Sequence, residues 1–409
     1  MNSESDMKSK LLLYNMMTLC FIVHLAPKLI SIFLVIISII SIFNFKIEKN
    51  KNINYYLPFI LSISFYVINI FGLFWSSDID SGFKHLEIKL SFLVIPIIFL
   101  NKNLISQNKI VHLFQSYLAG NCALAIYSIA NAAFAYFQYG SNHFTYTFLS
   151  PNFHPTYLSI YSLFSLGLLF NTRNLIIKNK ILKISVIVFL VIWLLLLSSK
   201  INILLLFVVL IFQLIITIGL TQNKPKLLAW SFLFSAFIAT FLYLNTSITD
   251  RFKTSINTII SSNNISKNDT ESNRARILIW KSATCLVHNN PIIGVGTGDV
   301  NNELVKEYEK RSYLGIKEKR LNAHNQYLQT ALATGIPSML FLLFFITFPI
   351  LVHHSAKYRI LHYFVFIFSI NALVESTLEN QAGVVFFIFF YFILLKAIPD
   401  KVDLNTIFE

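Results

Sequence analysis

Residues 184–220 have the sequence ISVIVFLVIWLLLLSSKINILLLFVVLIFQLIITIGL, and Lys200 is the one charged residue in this stretch. A helix needs about 20 mostly apolar residues to cross a bilayer, so the stretch is long enough for two membrane-spanning helices. Ser198, Ser199 and Lys200 mark a short polar turn between them. These residues therefore predict a helical membrane protein.

The composition of the whole chain supports the same class of protein. Its 409 residues are 55% hydrophobic and only 13% charged, whereas soluble globular chains carry about 25% charged residues. This argues against a soluble enzyme, and the high hydrophobicity also excludes a disordered chain. Cys20, Cys122 and Cys285 are odd in number and widely spaced, which excludes a disulfide scaffold.

Apolar segments of similar length recur along the chain. They predict an all-α polytopic membrane protein with about twelve transmembrane helices and one large extracytoplasmic helical loop before the last three. The predicted spans are 11–26, 28–44, 55–74, 88–101, 110–138, 155–171, 182–198, 201–220, 227–246, 325–352, 360–375 and 381–397. Gly335 and Pro337 predict a bend or an interruption near the outer end of the tenth span. A cleaved signal peptide is the alternative for the first span, but no small-x-small cleavage site follows it.

The basic residues predict the orientation. With the N-terminus inside, the short cytoplasmic segments hold 17 Lys and Arg residues and the short outer segments hold four. This asymmetry follows the positive-inside rule, so the net charge of +14 needs no nucleic-acid partner. We predict a membrane domain of about nine helices at 1–246, an extracytoplasmic loop at 247–324, three further helices at 325–398 and a cytoplasmic tail at 399–409. No internal repeat or inverted pair of interrupted helices occurs, which weakens a transporter interpretation.

The predicted loop begins with a linker and continues with helices. Residues 255–273 are rich in Ser and Asn, which is typical of a flexible linker. Residues 274–288 predict an amphipathic helix near the bilayer surface. The positions on its expected apolar face are Ile277, Trp280, Thr284 and Val287. Residues 300–312 predict a charged helix with a Glu307–Arg311 pair.

Three glycines separate the two loop helices. Gly294, Gly296 and Gly298 do not fit the dinucleotide-binding fingerprint, and no strand precedes them. We favour a tight turn in which Asp299 caps the next helix. The alternative is a nest of backbone amides that approaches a phosphate.

Four side chains could carry chemistry. His324 lies at the predicted N-terminal end of a membrane helix, where the helix dipole favours a neutral imidazole that can accept a proton; the alternative is a capping role. Arg274 and Arg276 are donors suited to phosphate oxygens, or else a headgroup-facing helix end. Lys200 is a costly charge between apolar runs, which by default indicates function.

Acidic partners for these cations lie near the end of the eleventh span. Glu375 and Glu379 can pair with them. The histidines do not have metal-ligand spacing, and HExxH, GxSxG and Walker motifs are absent from the sequence. We therefore predict no metal and no cofactor.

Four motifs in the second half of the chain resemble the O-antigen ligase/polymerase family. They are Arg276-x-x-x-Trp280, Asn290-Pro-Ile-Ile-Gly-Val-Gly-Thr-Gly298, Ala323-His-Asn-Gln-Tyr-Leu328 and Gly335-Ile-Pro337. Their order, spacing and position before the last three spans all match. The resemblance implies a metal-independent membrane glycosyltransferase, which moves a glycan from undecaprenyl pyrophosphate to an acceptor on the outer face of the bacterial inner membrane.

The resemblance also implies roles for individual residues. His324 falls on the histidine proposed to activate the acceptor hydroxyl, and Arg276 on the arginine proposed to hold the pyrophosphate, to which we add Arg274. Lys200 stands where the family usually has a second arginine, and a lysine lacks the planar guanidinium fork. The residues expected to support the site are Trp280, Gly294, Gly296, Asn325 and Glu375.

Four functions are open from the sequence. The expected partners are the undecaprenyl-pyrophosphate-linked glycan, membrane lipids, and an acceptor that is either lipid A core or a growing glycan. A ligase that glycosylates lipid A core is the leading hypothesis. A polymerase of O-antigen, capsule or exopolysaccharide repeat units, a protein O-oligosaccharyltransferase and a non-enzymatic transporter of lipid-linked sugars are the alternatives. The resemblance implies a location in the bacterial inner membrane, and the distribution of basic residues predicts the large loop in the periplasm and both termini in the cytoplasm.

Overall fold

A computed structural model describes residues 2–43, 45–47, 53–140, 144–150, 153–172, 174–220, 224–260, 266–270 and 272–397. Regular structure in these residues is helical, apart from one isolated bridge between Ile47 and Asn101. The first nine α-helices are α1 (Asn2–Ile22), α2 (Ile30–Ile42), α3 (Ile53–Phe71), α4 (Ile79–Lys89), α5 (Ser91–Phe99), α6 (Gln107–Tyr139), α7 (Pro155–Asn171), α8 (Lys180–Leu196) and α9 (Lys200–Leu220). The other nine are α10 (Lys224–Leu244), α11 (Thr246–Ile260), α12 (Ser272–Asn289), α13 (Val300–Lys310), α14 (Leu314–Glu318), α15 (Gln326–Thr334), α16 (Ile336–Val352), α17 (Arg359–Asn371) and α18 (Gln381–Lys396).

Each predicted span contains a helix, so the all-helical fold class is confirmed. Among the described residues, two helices can cross a bilayer by length and composition, Gln107–Tyr139 and Lys200–Gly219, and a third can if the bent pair Ser231–Tyr243 and Ile248–Thr254 forms one span. Five shorter apolar helices also occur: Pro27–Ile42, Tyr55–Phe71, Ile336–Val352, Arg359–Asn371 and Gln381–Lys396. The number of twelve spans and their direction remain predictions. The tail at 399–409 lies outside the described residues.

The chain folds as two compact units. One comprises Met1–Gly120 and Asn263–Glu409, and the other comprises Asn121–Ser262. Helix α6 contributes residues to both. These units are defined by packing, so they do not test the predicted topological segments.

The first unit is built around a phenylalanine-rich helix. Every residue of α18 from Ala382 to Leu395 is buried, and its apolar residues on all sides suit a helix in the core of the protein. Phe387 stacks on Phe368 of α17 at 4.3 Å between ring centroids and meets Phe345 of α16 edge-on at 5.9 Å. This packing fixes the turn at 372–380, which joins α17 to α18.

The second unit surrounds α7. All residues of α7 from Pro155 to Leu169 are buried, and Asn121 donates to the hydroxyl of Ser165 at 2.9 Å. Asn202 donates to the Ser199 hydroxyl at 2.9 Å, which satisfies buried polar groups in the turn between α8 and α9.

The predicted amphipathic helix is present as α12, and its apolar face was assigned correctly only in part, since Trp280 and Val287 are partly buried against its core. The buried positions are Ala275, Leu278, Ile279, Ser282, Ala283 and Leu286, whereas Thr284 is exposed. This face packs on α13 and α15, in a core that includes Leu304 and Leu332. The fully buried positions are mainly small and aliphatic residues, because α12 packs closely against α13 and α15.

The predicted linker at 255–273 is also partly wrong. Helix α11 continues to Ile260, so the first residues of the linker are helical. Residues 261–265 and 271 lie outside the described residues. The Glu307–Arg311 pair is confirmed, with 2.5 Å between Arg311 Nε and Glu307 Oε1.

Candidate active site

The start of α15 docks on the 372–380 turn through backbone groups. The N–H of Asn325 donates to the Ser376 hydroxyl at 3.2 Å, and the N–H of Gln326 donates to the carbonyl of Ala372 at 2.8 Å. The Asn325 side chain accepts from the N–H of Leu328 at 3.0 Å and so caps α15. Asn325 therefore performs the capping role that was the alternative for His324.

His324 lies just before this cap in an unusual backbone conformation. Its φ is +42°, in the left-handed region that costs a non-glycine residue about 1–3 kcal/mol. Its N–H donates to Asn322 Oδ1 at 3.0 Å. Nδ1 is 3.4 Å from Oε1 of Glu375. The ring is 24% exposed while its Nδ1 atom is buried, so the exposed part of the ring is away from Glu375.

Arg276 reaches the same carboxylate from α12. Its Nε donates to the carbonyl of Val374 at 3.1 Å, and its Nη2 is 4.0 Å from Glu375 Oε2. The two oxygens of the buried Glu375 therefore face His324 and Arg276. Residues that are far apart in sequence converge on one carboxylate, and the predicted pairing of Glu375 with a site cation is confirmed.

Trp280 connects α12 to the residue before the histidine. Its Nε1 donates to the carbonyl of Ala323 at 3.0 Å. The N–H of Ala323 donates to Gln329 Oε1 at 3.1 Å. Both the N–H and the carbonyl of the buried Ala323 are hydrogen-bonded, and this fixes the position of the backbone just before His324.

The structure describes the two other predicted phosphate-binding residues, Arg274 and Lys200, each within its own unit. Arg274 pairs with Asp269, at 3.3 Å between Nη1 and Oδ2. Lys200 is the first residue of α9 in the second unit, after Ser198, whose φ is +53°. Their role in binding pyrophosphate remains a prediction.

The backbone amides of the glycine-rich turn form hydrogen bonds within the protein. The N–H groups of residues 294 to 299 all donate within the protein. Their acceptors are, in order, Asn290 O, Leu332 O, Ala333 O, Gly72 O, Ser76 Oγ and Gly296 O. The turn is confirmed, and the alternative of an amide nest is wrong because no N–H is left for a phosphate.

Gly294 and Gly296 serve this packing. Their φ values are +71° and +106°, and a Cβ on Gly294 would overlap the carbonyl of Leu332. The predicted cap was wrong, because the Asp299 carboxylate accepts from the N–H groups of Ser77 and Asp78 at 2.6 and 2.8 Å and not from α13. The turn therefore joins α13 and α15 to the segment that precedes α4.

A buried ion pair beside the site was missed by the sequence reasoning. Glu379 was expected to pair with the site cations, but it pairs with Lys89, 3.1 Å away, and with His85 Nδ1, 3.2 Å away. The sequence could have indicated this pair, because Lys89 is a charged residue inside an apolar segment and a buried charge there needs a buried partner.

A surface cavity of about 640 Å³ lies elsewhere on the first unit. Its lining includes Asp78, Asp80, Asp299 and Glu303, and only Lys306 as a cation. Its acidic lining does not suit a pyrophosphate. Within the described part of the chain, no three His, Cys, Asp or Glu side chains are grouped to hold a metal ion; the metal-free mechanism itself remains a prediction.

Comparison with known proteins agrees with the motifs. Residues 184–343, about two fifths of the chain, match the family model described as O-antigen ligase. This segment includes Lys200, Arg276 and His324 but ends before Glu375. The resemblance stated from the motifs is therefore confirmed for this segment of the chain. No curated protein matches the chain.

The family is one of bacterial inner-membrane proteins with glycosyltransferase-like activity. The match supports glycosyl transfer of the ligase or polymerase type in O-antigen synthesis. Members of that family use a lipid-linked glycan and an acceptor as substrates.

Proposed function

We propose that this protein is an O-antigen ligase-like glycosyltransferase. It moves a glycan from undecaprenyl pyrophosphate to lipid A core, or a similar acceptor, at the outer face of the inner membrane. The observation that carries the proposal is the convergence of His324 and Arg276 on the carboxylate of Glu375. A base and a cation beside each other are what an acceptor hydroxyl and a pyrophosphate leaving group require.

His324 is the general base in this proposal. A carboxylate beside Nδ1 favours the tautomer that carries its proton there, which leaves Nε2 to accept a proton. Nε2 removes the proton of the acceptor hydroxyl as the acceptor oxygen attacks the anomeric carbon of the donor glycan. Glu375 then stabilises the imidazolium that forms, as the carboxylate does in a Ser-His-Asp triad.

Arg276 assists the leaving group. As the new glycosidic bond forms, the bond between the anomeric carbon and the pyrophosphate oxygen breaks. The electron pair stays on that oxygen, and undecaprenyl pyrophosphate leaves as an anion. A guanidinium can bind two phosphate oxygens at once, and the contacts to Val374 and Glu375 hold Arg276 in place. Arg274 and Lys200 are proposed as further donors to the pyrophosphate.

The orientation follows from the predicted topology. The loop at 247–324 lies in the periplasm, both termini lie in the cytoplasm, and apolar helices provide the surface for the lipid carrier. No metal or cofactor takes part in this mechanism. A polymerase would use the same donor chemistry with a growing glycan as acceptor, so the acceptor decides between the two.

A gel of lipopolysaccharide and surface glycans from a deletion strain tests the proposal. For a ligase, long chains disappear from lipid A core while lipid-linked long chains accumulate, and the wild-type gene restores them. Products with a single repeat unit would indicate a polymerase. Unchanged glycans would contradict both, and would point to a protein acceptor or to transport.

A further inference from the structure

A buried carboxylate next to the site receives donors from two helices. The oxygens of Glu379 lie 3.1 and 3.2 Å from Nζ of Lys89, and 3.2 Å from Nδ1 of His85, both on α4. The side-chain amide of Gln326, on α15, donates to Glu379 at 3.1 Å. Lys89 is 3% exposed and Gln326 is fully buried.

A buried ion pair destabilises a protein unless its two charges are close together and hydrogen-bonded. Burying two charges costs several kcal/mol per ion, which is recovered only when additional hydrogen bonds satisfy the remaining oxygens and protons. Burial would raise the pKa of Glu379, but Lys89 and the hydrogen bonds from His85 and Gln326 lower it below the ordinary value. The carboxylate is therefore held in its charged form.

Gln326 connects Glu379 to the segment that carries His324. It is two residues after His324, and its backbone N–H donates to Ala372. Its side-chain oxygen accepts from the N–H of Leu378 at 2.7 Å, while its amide nitrogen donates to Glu379. One side chain thus holds the start of α15 against the turn that carries Glu375.

We propose that Glu379 is a positioning residue for His324, acting through Gln326, and that Lys89 holds Glu379 in place. This inference rests on the proposed function. Glu379 keeps the 372–380 turn and the segment from His324 to Gln326 in register, so that Glu375 Oε1 stays beside His324 Nδ1. A displacement of about 1 Å at a catalytic group can lower a rate by about 10²-fold.

The test uses purified full-length protein in liposomes. The donor is the undecaprenyl-pyrophosphate-linked glycan extracted from the deletion strain, and the acceptor is its lipid A core. Glu379→Gln and Lys89→Met are expected to lower kcat at least tenfold, and to raise the donor KM by a smaller factor because Arg276 itself is unchanged. Lys89→Arg keeps the charge and is expected to retain kcat within about threefold.

A control and a double variant separate positioning from folding. Lys396→Met removes an amine that donates to the carbonyls of Phe99 and Asn101, and it is expected to leave kcat unchanged. The double variant Lys89→Met/Glu379→Gln leaves no uncompensated buried charge, so it is expected to fold and still lose kcat.

Two results would overturn the inference: wild-type kcat in the double variant, or a loss in Lys89→Arg equal to that in Lys89→Met. If the wild-type protein transfers no glycan to lipid A core or to a growing glycan, the proposed function fails instead.

Discussion

Nδ1 of His324 lies 3.4 Å from Oε1 of Glu375, and the other oxygen of that carboxylate lies 4.0 Å from Nη2 of Arg276. A single acidic side chain therefore faces both of the residues that we propose as the base and the cation of glycosyl transfer. The carboxylate comes from the 372–380 turn, beyond the segment that matches the O-antigen ligase family model.

The histidine is expected to be essential for transfer. His324→Asn should lower kcat by about 10²–10⁴-fold, the usual contribution of a general base. Asparagine tolerates the left-handed backbone found at this position, so the protein should still fold. Initial rates of transfer in liposomes, together with Tm, measure both effects. Wild-type rates in this variant would remove His324 from the mechanism.

Glu375 is expected to act on kcat. Glu375→Gln keeps the size of the side chain but removes the charge that stabilises the imidazolium, so we expect a loss of about tenfold or more in kcat. Glu309→Gln is a matched control, because Glu309 forms an exposed pair with Lys317 at 2.6 Å and such pairs contribute about 0–1 kcal/mol. Equal effects of the two changes would argue against a role for Glu375.

The two arginines are expected to differ in how they bind the donor. Arg276→Lys keeps the charge but loses the planar fork, so the donor KM should rise about tenfold. Arg274→Lys should have a smaller effect, because Arg274 pairs with Asp269 and is about one-third exposed. Steady-state kinetics with varied donor concentration measure this difference. A larger effect at Arg274 would reassign the pyrophosphate contact.

The glycine-rich turn is expected to be sensitive for steric reasons. Gly140 and Gly294 have similar φ values of +66° and +71°, but a Cβ on Gly140 would meet nothing within 4 Å. Gly140→Ala should therefore cost about 1–2 kcal/mol for the backbone conformation alone. Gly294→Ala must in addition displace the carbonyl of Leu332, so its Tm should fall further. Equal losses of Tm would show that the packing of the turn matters little.

Low pH should weaken the interactions of Glu379 with Lys89, His85 and Gln326. The pKa of Glu379 is lowered from its ordinary value of 4.5. A carboxyl group with a lowered folded-state pKa adds stability above its unfolded pKa and loses it as the pH falls through the folded pKa. The Tm of wild type should therefore fall below about pH 4.5 more steeply than that of Glu379→Gln. Parallel curves would contradict this assignment.

Much of the fold was predictable from the sequence because apolar length and helix-breaking residues are local signals. The paired runs at 184–220 form α8 and α9, and Gly335 ends α15 as predicted. The apolar face of α12 was not predictable in the same way. Its face depends on which neighbours it meets, and small residues such as Ala275 and Ala283 are buried because α13 and α15 approach closely.

The site was predictable in its residue types but not in its pairings. His324, Arg276 and Trp280 belong to motifs, so the sequence identified them. The partners of the acidic residues depend on tertiary contacts, and Glu379 lies beside Lys89, which is 290 residues away. Two acidic residues on one turn can pair with different helices. The sequence spacing does not show which helix each residue contacts.

Glycosyl transfer by the purified protein is the most direct test of the central claim. Wild-type protein in liposomes would be mixed with the undecaprenyl-pyrophosphate-linked glycan and lipid A core, and both products would be measured. We predict equal amounts of glycosylated lipid A core and free undecaprenyl pyrophosphate with wild type, and neither product with His324→Asn. Absence of transfer by wild type, or equal transfer by the folded His324→Asn variant, would contradict the account.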